Sequence, residues 1–218
     1  MYSAEPLPHF VDEYLAYLEK LGVKFVCNTY VGRDVTIDDM LAGEFQAVFV
    51  GTGAGVGNRM GIEGEELDGV HQATDYLVRG NLEAMQLPEH LRERLPPPKN
   101  VVVIGGGDTS MDCVRTAVRL GAEKVTLVYR RTEAEMLGRG EERKNAREEG
   151  VDFAMLTLPT RIIGEDGRVA AVELQRMQLG EPDDSGRRRP EPIKGSEYII
   201  PADQVAIADT GSRMVDRD

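Results

Sequence analysis

Residues 101–110 read Val101-Val102-Val103-Ile104-Gly105-Gly106-Gly107-Asp108-Thr109-Ser110. Four apolar residues, all β-branched, predict a buried strand. The next six follow the spacing G-x-G-x-x-small, and each fixed position has a physical job. Gly105 permits a tight strand-to-helix turn. Gly107 carries no side chain, so a diphosphate can approach the backbone. Ser110 is small enough for the following helix to pack against the strand. A helix starting near Thr109 aims its unpaired N–H groups and the positive end of its dipole at the phosphates. A glycine pattern alone is weak, and the competing reading is a turn whose glycines serve only backbone geometry. An apolar strand before it and a helix after it supply the context that a dinucleotide site requires.

Downstream, residues 124–129 (KVTLVY) predict the next buried strand. NAD-binding units place Asp or Glu at its end, about 20 residues beyond the glycines, to hold the ribose 2′-hydroxyl. This chain has Arg130 and Arg131. A carboxylate repels a 2′-phosphate, whereas guanidinium groups bind it through charge-assisted contacts. The pair therefore points to NADP(H), against the plainer reading of two solvated arginines at a strand end. A charged helix at 141–149 and a third strand at 151–158 complete a βαβαβ unit, which predicts an α/β, doubly wound, Rossmann-like domain with a parallel sheet. Two strands are expected around the Glu165-Asp166-Gly167 turn, an exposed polar loop at 182–192, and further strands at 198–200 and 204–208.

Upstream, apolar spacing predicts a helix over 10–21 and a short helix over 36–41 capped by Thr36. Residues 23–27 and 46–51 read as strands, the second running into Gly51-Thr52-Gly53. The residues after Gly53 do not complete a second dinucleotide fingerprint. Residues 71–85 read as helical. Pro96-Pro97-Pro98 can neither continue a helix nor donate to a sheet, so it reads as a linker. The expected division is a first segment at 1–95, a nucleotide-binding domain at 96–208 and a tail at 209–218.

The bulk numbers exclude several classes. A formal net charge of −12 argues against broad contact with nucleic acid. The two cysteines, Cys27 and Cys113, form no C-x-x-C pair, so neither a redox disulfide nor iron–sulfur ligation is expected in this segment. There is no signal-peptide pattern and no apolar run of about 18 residues, so no membrane span is expected and the cytoplasm is the default location. His9, His71 and His90 lack metal-ligand spacing, so no metal site is expected, and no Ser–His–Asp or Cys–His set can be assembled, so hydrolysis has no support. Cys113 reads as a small core residue. Asp112 reads as solvated, with a ribose contact as the alternative. Arg187-Arg188-Arg189 reads as a solvated loop rather than a phosphate patch.

Residues 102–131 (VVIGGGDTSMDCVRTAVRLGAEKVTLVYRR) closely resemble the NADPH-dependent glutamate synthase small (beta) subunit family. So do residues 61–76 (GIEGEELDGVHQATDY), 139–152 and 180–202 (GEPDDSGRRRPEPIKGSEYIIPA). Related reductases share the module, among them the NADPH-side subunit of ferredoxin-linked transhydrogenases and the N-terminal half of dihydropyrimidine dehydrogenase. The resemblance covers nearly the whole chain. It implies an NADPH domain inserted within a flavin domain, with NADPH delivering hydride to FAD and electrons passing to iron–sulfur clusters of missing domains or of a large-subunit partner. Carried over by motif, Gly105, Gly106, Gly107, Asp108, Thr109 and Ser110 would contact the diphosphate. Arg130 and Arg131 would hold the 2′-phosphate, with Arg139 a weaker candidate for the same group. Gly51, Thr52 and Gly53 resemble the A-T-G hinge between flavin and NADPH domains. Departures stand beside the matches. Leu137 and Gly140 replace the family's two prolines around Arg139, and Ala206-Ile207-Ala208 stands where the family has A-I-G. The flavin fingerprint expected before Met1, the return segment after Asp218 and the cysteine-rich cluster domain are absent. The resemblance thus implies a partial flavoprotein; the alternative is a non-catalytic NADP-binding module. A homo-oligomer is compatible with the sequence.

Overall fold

Val101, Val102, Val103 and Ile104 are each at most 2% exposed because the strand they form, β2 (Asn100–Ile104), is covered on both faces. In this computed structural model, which describes residues 8–51, 57, 59–82, 87, 89, 92, 95–183 and 186–208, β2 is the middle strand of a parallel sheet. The order is β1 (Val70–Gln72), β9 (Gln204–Ile207), β2, β3 (Lys124–Tyr129), β4 (Asp152–Met155). Every neighbouring pair runs parallel, Val101 to Ile104 facing Val125 to Val128 on one side and Gln204 to Ile207 on the other. Burial on both faces is why these strands read as continuous apolar runs rather than alternating ones.

Alternate side chains of the sheet enter two cores. On one face Val101, Val103 and Leu127 meet Met111, Val114 and Ala117 of α4 (Asp108–Arg119), Tyr76 of α3 (Ala73–Asn81) and Ala146 of α5 (Gly140–Glu148). On the other, Val102, Ile104, Val128, Val205 and Ile207 meet Ile162, Val172 and Leu174 of an antiparallel sheet. That sheet comprises β5 (Thr157–Glu165), β6 (Arg168–Pro182), β7 (Arg188–Pro192) and β8 (Tyr198–Pro201). The α/β Rossmann-like fold read from the sequence is the fold observed, with a β-sheet as its second cover. The Asp166-Gly167 turn between β5 and β6 takes φ of 51° and 79°, the paired left-handed conformation that suits a two-residue hairpin.

The chain divides elsewhere than at the prolines. Residues group into Met1–Gly53 and Ala54–Asp218. Both β1 and α3 precede the prolines yet belong to the second unit. β1 pairs with β9, and Tyr76 is fully buried in the helix-side core. The proline stretch is itself held in that unit: Pro98 is buried and the carbonyl of Pro96 accepts from Gln204 Nε2 at 2.8 Å. Residues 182–192 also differ from the exposed loop expected. β6 extends to Pro182, and β7 pairs with it at Met177↔Pro192 and Leu179↔Pro190. Prolines are tolerated there because β7 is an edge strand.

The first unit contains α1 (Pro8–Lys20) and α2 (Ile37–Ala42). Thr36 caps α2 through a reciprocal pair with Asp39, as its sequence position suggested. The strands expected at 23–27 and 46–51 do not form. A strand needs a neighbour to accept its backbone hydrogen bonds, and among the described residues of this unit the β-pairing is one isolated bridge, Val31↔Val35. Phe49 is accordingly 95% exposed rather than buried.

Candidate functional site

β2 lies where the order of strands reverses: the chain steps to β3 on one side, while β9 and β1 lie on the other. In open α/β sheets that position creates a crevice at the carboxyl edge, and residues 105–107 sit in it. Gly105 has φ 143°, and a Cβ there would come within 2.5 Å of Ser110 Oγ and 2.7 Å of the Ala208 carbonyl oxygen. A side chain is excluded by conformation and by space. Ser110 is fully buried, as a helix packed on its strand requires. Gly106 has a role that the spacing did not reveal: a Cβ would lie 2.4 Å from the Tyr129 ring. The tyrosine is fixed by its hydroxyl, which donates to the Glu135 carbonyl at 2.9 Å. At Gly107 a Cβ would meet nothing within 4 Å. The turn is closed against the protein at Gly105 and Gly106 and open outward at Gly107.

Gly107 caps α4 without any side-chain hydrogen bond. The first amides of the helix have no acceptor within it, so α4 presents N–H groups at the open side of the turn. A second segment folds over this point. Gly138 N donates to the Gly106 carbonyl at 3.0 Å, and Arg143 donates to the Gly138 carbonyl. The Asp108 carboxylate accepts from Arg139 N at 2.8 Å and pairs with Arg139 Nε at 3.3 Å. Arg139 therefore stands at the start of α4, beside Gly107 and Asp108. Thr109 is half-buried on the first turn.

The two arginines after β3 part company. Arg130 is half-buried at the strand end. Arg131 is 4% exposed, its Nη2 2.6 Å from Asp183 Oδ2 and its Nε donating to the Arg188 carbonyl at 2.8 Å. Its own carbonyl accepts from Leu156 N at 3.1 Å. A guanidinium expected to face a phosphate is instead turned into the protein. Nothing in the residues around 130 could have revealed this, because the partner lies more than 50 residues away.

Other groups hold bland positions. Burial pushes the Cys113 thiol up to about 12, as suits a core residue. Partial burial, with Glu142 and Asp108 nearby, raises the Asp112 carboxyl above its ordinary range. Burial, with help from the Arg79 charge, lowers His71 to about 4. Gly51 is exposed in the first unit; Thr52 and Gly53 lie outside the described residues. Among the described residues no cluster of His, Cys, Asp or Glu could hold a metal ion, and no helix is long and apolar enough to cross a membrane.

A family model described as pyridine nucleotide-disulphide oxidoreductase matches residues 33–214. The glutamate synthase [NADPH] small chain of Escherichia coli (strain K12) is 47% identical over 191 residues, covering 86% of this chain and 40% of that one. The NADP(+)-dependent formate dehydrogenase subunit beta of Moorella thermoacetica is 42% identical, covering 88% of this chain and 26% of that one. This chain thus spans less than half the length of these relatives. Among solved structures, Mycobacterium tuberculosis FprA in complex with NADPH superposes with a TM-score of 0.74 at 19% identity, over 92% of this chain and 58% of that one. At that identity the likeness concerns the fold.

Proposed function

Because this chain belongs to the pyridine nucleotide-disulphide oxidoreductase family, we propose that its second unit binds NADPH and that the whole protein is an NADPH-dependent flavoprotein oxidoreductase. The observation that carries the reading is the turn at 105–107, walled by Ser110, Ala208 and Tyr129 yet open at Gly107 in front of the α4 amides. That cradle suits a diphosphate. The nucleotide lies across the carboxyl edge, with the diphosphate over Gly107, Asp108 and Thr109, and the adenosine ribose toward Arg130. Arg139, fixed by Asp108, serves the diphosphate end. When bound, NADPH supplies a hydride at its nicotinamide. The protein's part is alignment and charge complementarity, and no side chain of this unit acts as acid or base.

FAD is the acceptor proposed for the complete protein, in line with the glutamate synthase small chain that this chain resembles. Electrons then pass to iron–sulfur centres, held by a glutamate synthase large subunit or an equivalent partner, in the cytoplasm. The first unit, with Gly51 at its end, is proposed as flavin-proximal. Its described residues do not form a flavin cradle, since none of the described side chains there is buried. That same observation favours a second reading for the isolated chain: a nucleotide-binding module without flavin. Absorption spectra of the purified chain, followed by titration with NADPH, test both. Bound flavin absorbance with NADPH binding supports the oxidoreductase. Colourless protein that binds NADPH supports the module, and failure to bind NADPH contradicts both.

A further inference from the structure

The basic run Arg187-Arg188-Arg189 is remote in sequence from the glycine turn, yet the fold brings it to the end of β3. The bridge is Asp183. One carboxylate oxygen pairs with Arg131 Nη2 at 2.6 Å, and the other accepts from Arg187 N at 3.2 Å. Asp183 N in turn donates to the Arg187 carbonyl at 2.7 Å. Arg131 closes the link by donating to the Arg188 carbonyl. The tip of the β6–β7 hairpin is thus bolted to the residue adjoining Arg130.

The charges at this spot are unusual for the chain. Its formal net charge is −12, yet residues 130, 131, 187, 188 and 189 are all arginine. Arg188 turns back to donate to the carbonyls of Leu179 and Gly180 within its own hairpin. A carboxylate next to a phosphate site would repel a dianion, but Asp183 is neutralised by Arg131. The pair contributes rigidity and little net charge, leaving discrimination to its neighbours.

We infer that the β6–β7 hairpin forms the second wall of the adenosine end of the nucleotide site. Arg187 acts with Arg130 on the 2′-phosphate, and Asp183 is a positioning residue that holds Arg187 there through Arg131. This rests on the proposed nucleotide site and extends it by one specificity residue and one positioning residue.

Adenosine 2′,5′-bisphosphate and adenosine 5′-monophosphate, titrated calorimetrically into the purified chain, separate the possibilities. Arg187→Ala should weaken the bisphosphate about tenfold, the loss of one charge-assisted contact, and leave the monophosphate within about twofold. Asp183→Ala should reduce the same selectivity while leaving monophosphate binding intact, a pattern that general unfolding would not give. If Asp183→Ala does not fold, Arg187→Ala alone decides. Unchanged selectivity in Arg187→Ala overturns the inference while leaving the nucleotide site standing. A wild-type chain that binds the monophosphate but does not prefer the bisphosphate overturns the 2′-phosphate reading and the hairpin's role with it. A chain that binds neither overturns the site itself.

Discussion

The Cα of Gly106 faces the ring of Tyr129 so closely that a methyl group there would lie 2.4 Å from Cε2 and 2.5 Å from Cδ2. The middle glycine of the turn is thus an abutment for the last residue of β3, and one contact sets the turn against the strand end that precedes Arg130. Gly106→Ala must push the ring, whose hydroxyl is tied to Glu135. Overpacking of this kind costs about 1–3 kcal/mol. A lowered midpoint in urea at unchanged slope is the expected result; an unchanged midpoint would show that the ring yields freely.

Arg130 and Arg131 should fail differently. Arg131→Met removes the guanidinium that Asp183 pairs with. Loss of one member of a fully buried pair costs about 3–5 kcal/mol, and the partial exposure of Asp183 brings this nearer to about 2 kcal/mol. Arg130→Ala should instead leave stability within about 0.5 kcal/mol and lower NADPH affinity about tenfold relative to NADH. Parallel thermal melts of the two variants would show the split in stability, and an equal loss of stability in both would contradict it.

The pH dependence of stability carries a mark of His71. Its folded value of about 4 lies below the ordinary 6.5, because burial and Arg79 disfavour the cation over the weaker pull of Asp68 and Asp75. Between these values the unfolded chain binds more protons than the folded one, so stability falls as pH drops through that window. Urea titrations at a series of pH values should show this decline, and it should be shallower in His71→Gln. A parallel decline in the variant would assign the effect to other groups.

The two thiols should be distinguished by a thiol-specific reagent under native conditions. Cys27 is exposed, whereas Cys113 is fully buried with its thiol pushed up to about 12. One thiol should react rapidly and the second only with unfolding. Rapid reaction of both would show that the α4 core opens readily.

Much of the second unit was legible because its signals are local. The run 101–104 and the spacing of Gly105, Gly107 and Ser110 specify a strand, a turn and a helix from neighbouring residues. Residues 124–129 formed the strand expected with the same limits. What escaped was determined at long range. The inward turn of Arg131 depends on Asp183, and the strand at 188–192 depends on pairing with 177–182. The contact between Gly106 and Tyr129 sets the backbone of the turn after β2 against a side chain at the end of β3, and spacing alone does not encode it. The apolar runs at 23–27 and 46–51 promised strands, but periodicity reports a preference for a sheet and not the presence of a partner strand. The prolines at 96–98 suggested a boundary because proline marks the end of regular structure, and it does so inside a domain as well as between domains.

The central claim is that the turn at 105–107 holds the diphosphate of NADPH while Arg130 meets the 2′-phosphate. A crystal structure of the chain with NADPH tests it most directly. The expected result is diphosphate oxygens within hydrogen-bonding distance of the amides of Gly107, Asp108 or Thr109, with the 2′-phosphate on the Arg130 guanidinium. Nucleotide bound elsewhere, with that turn empty and Arg130 directed into solvent, would contradict the account.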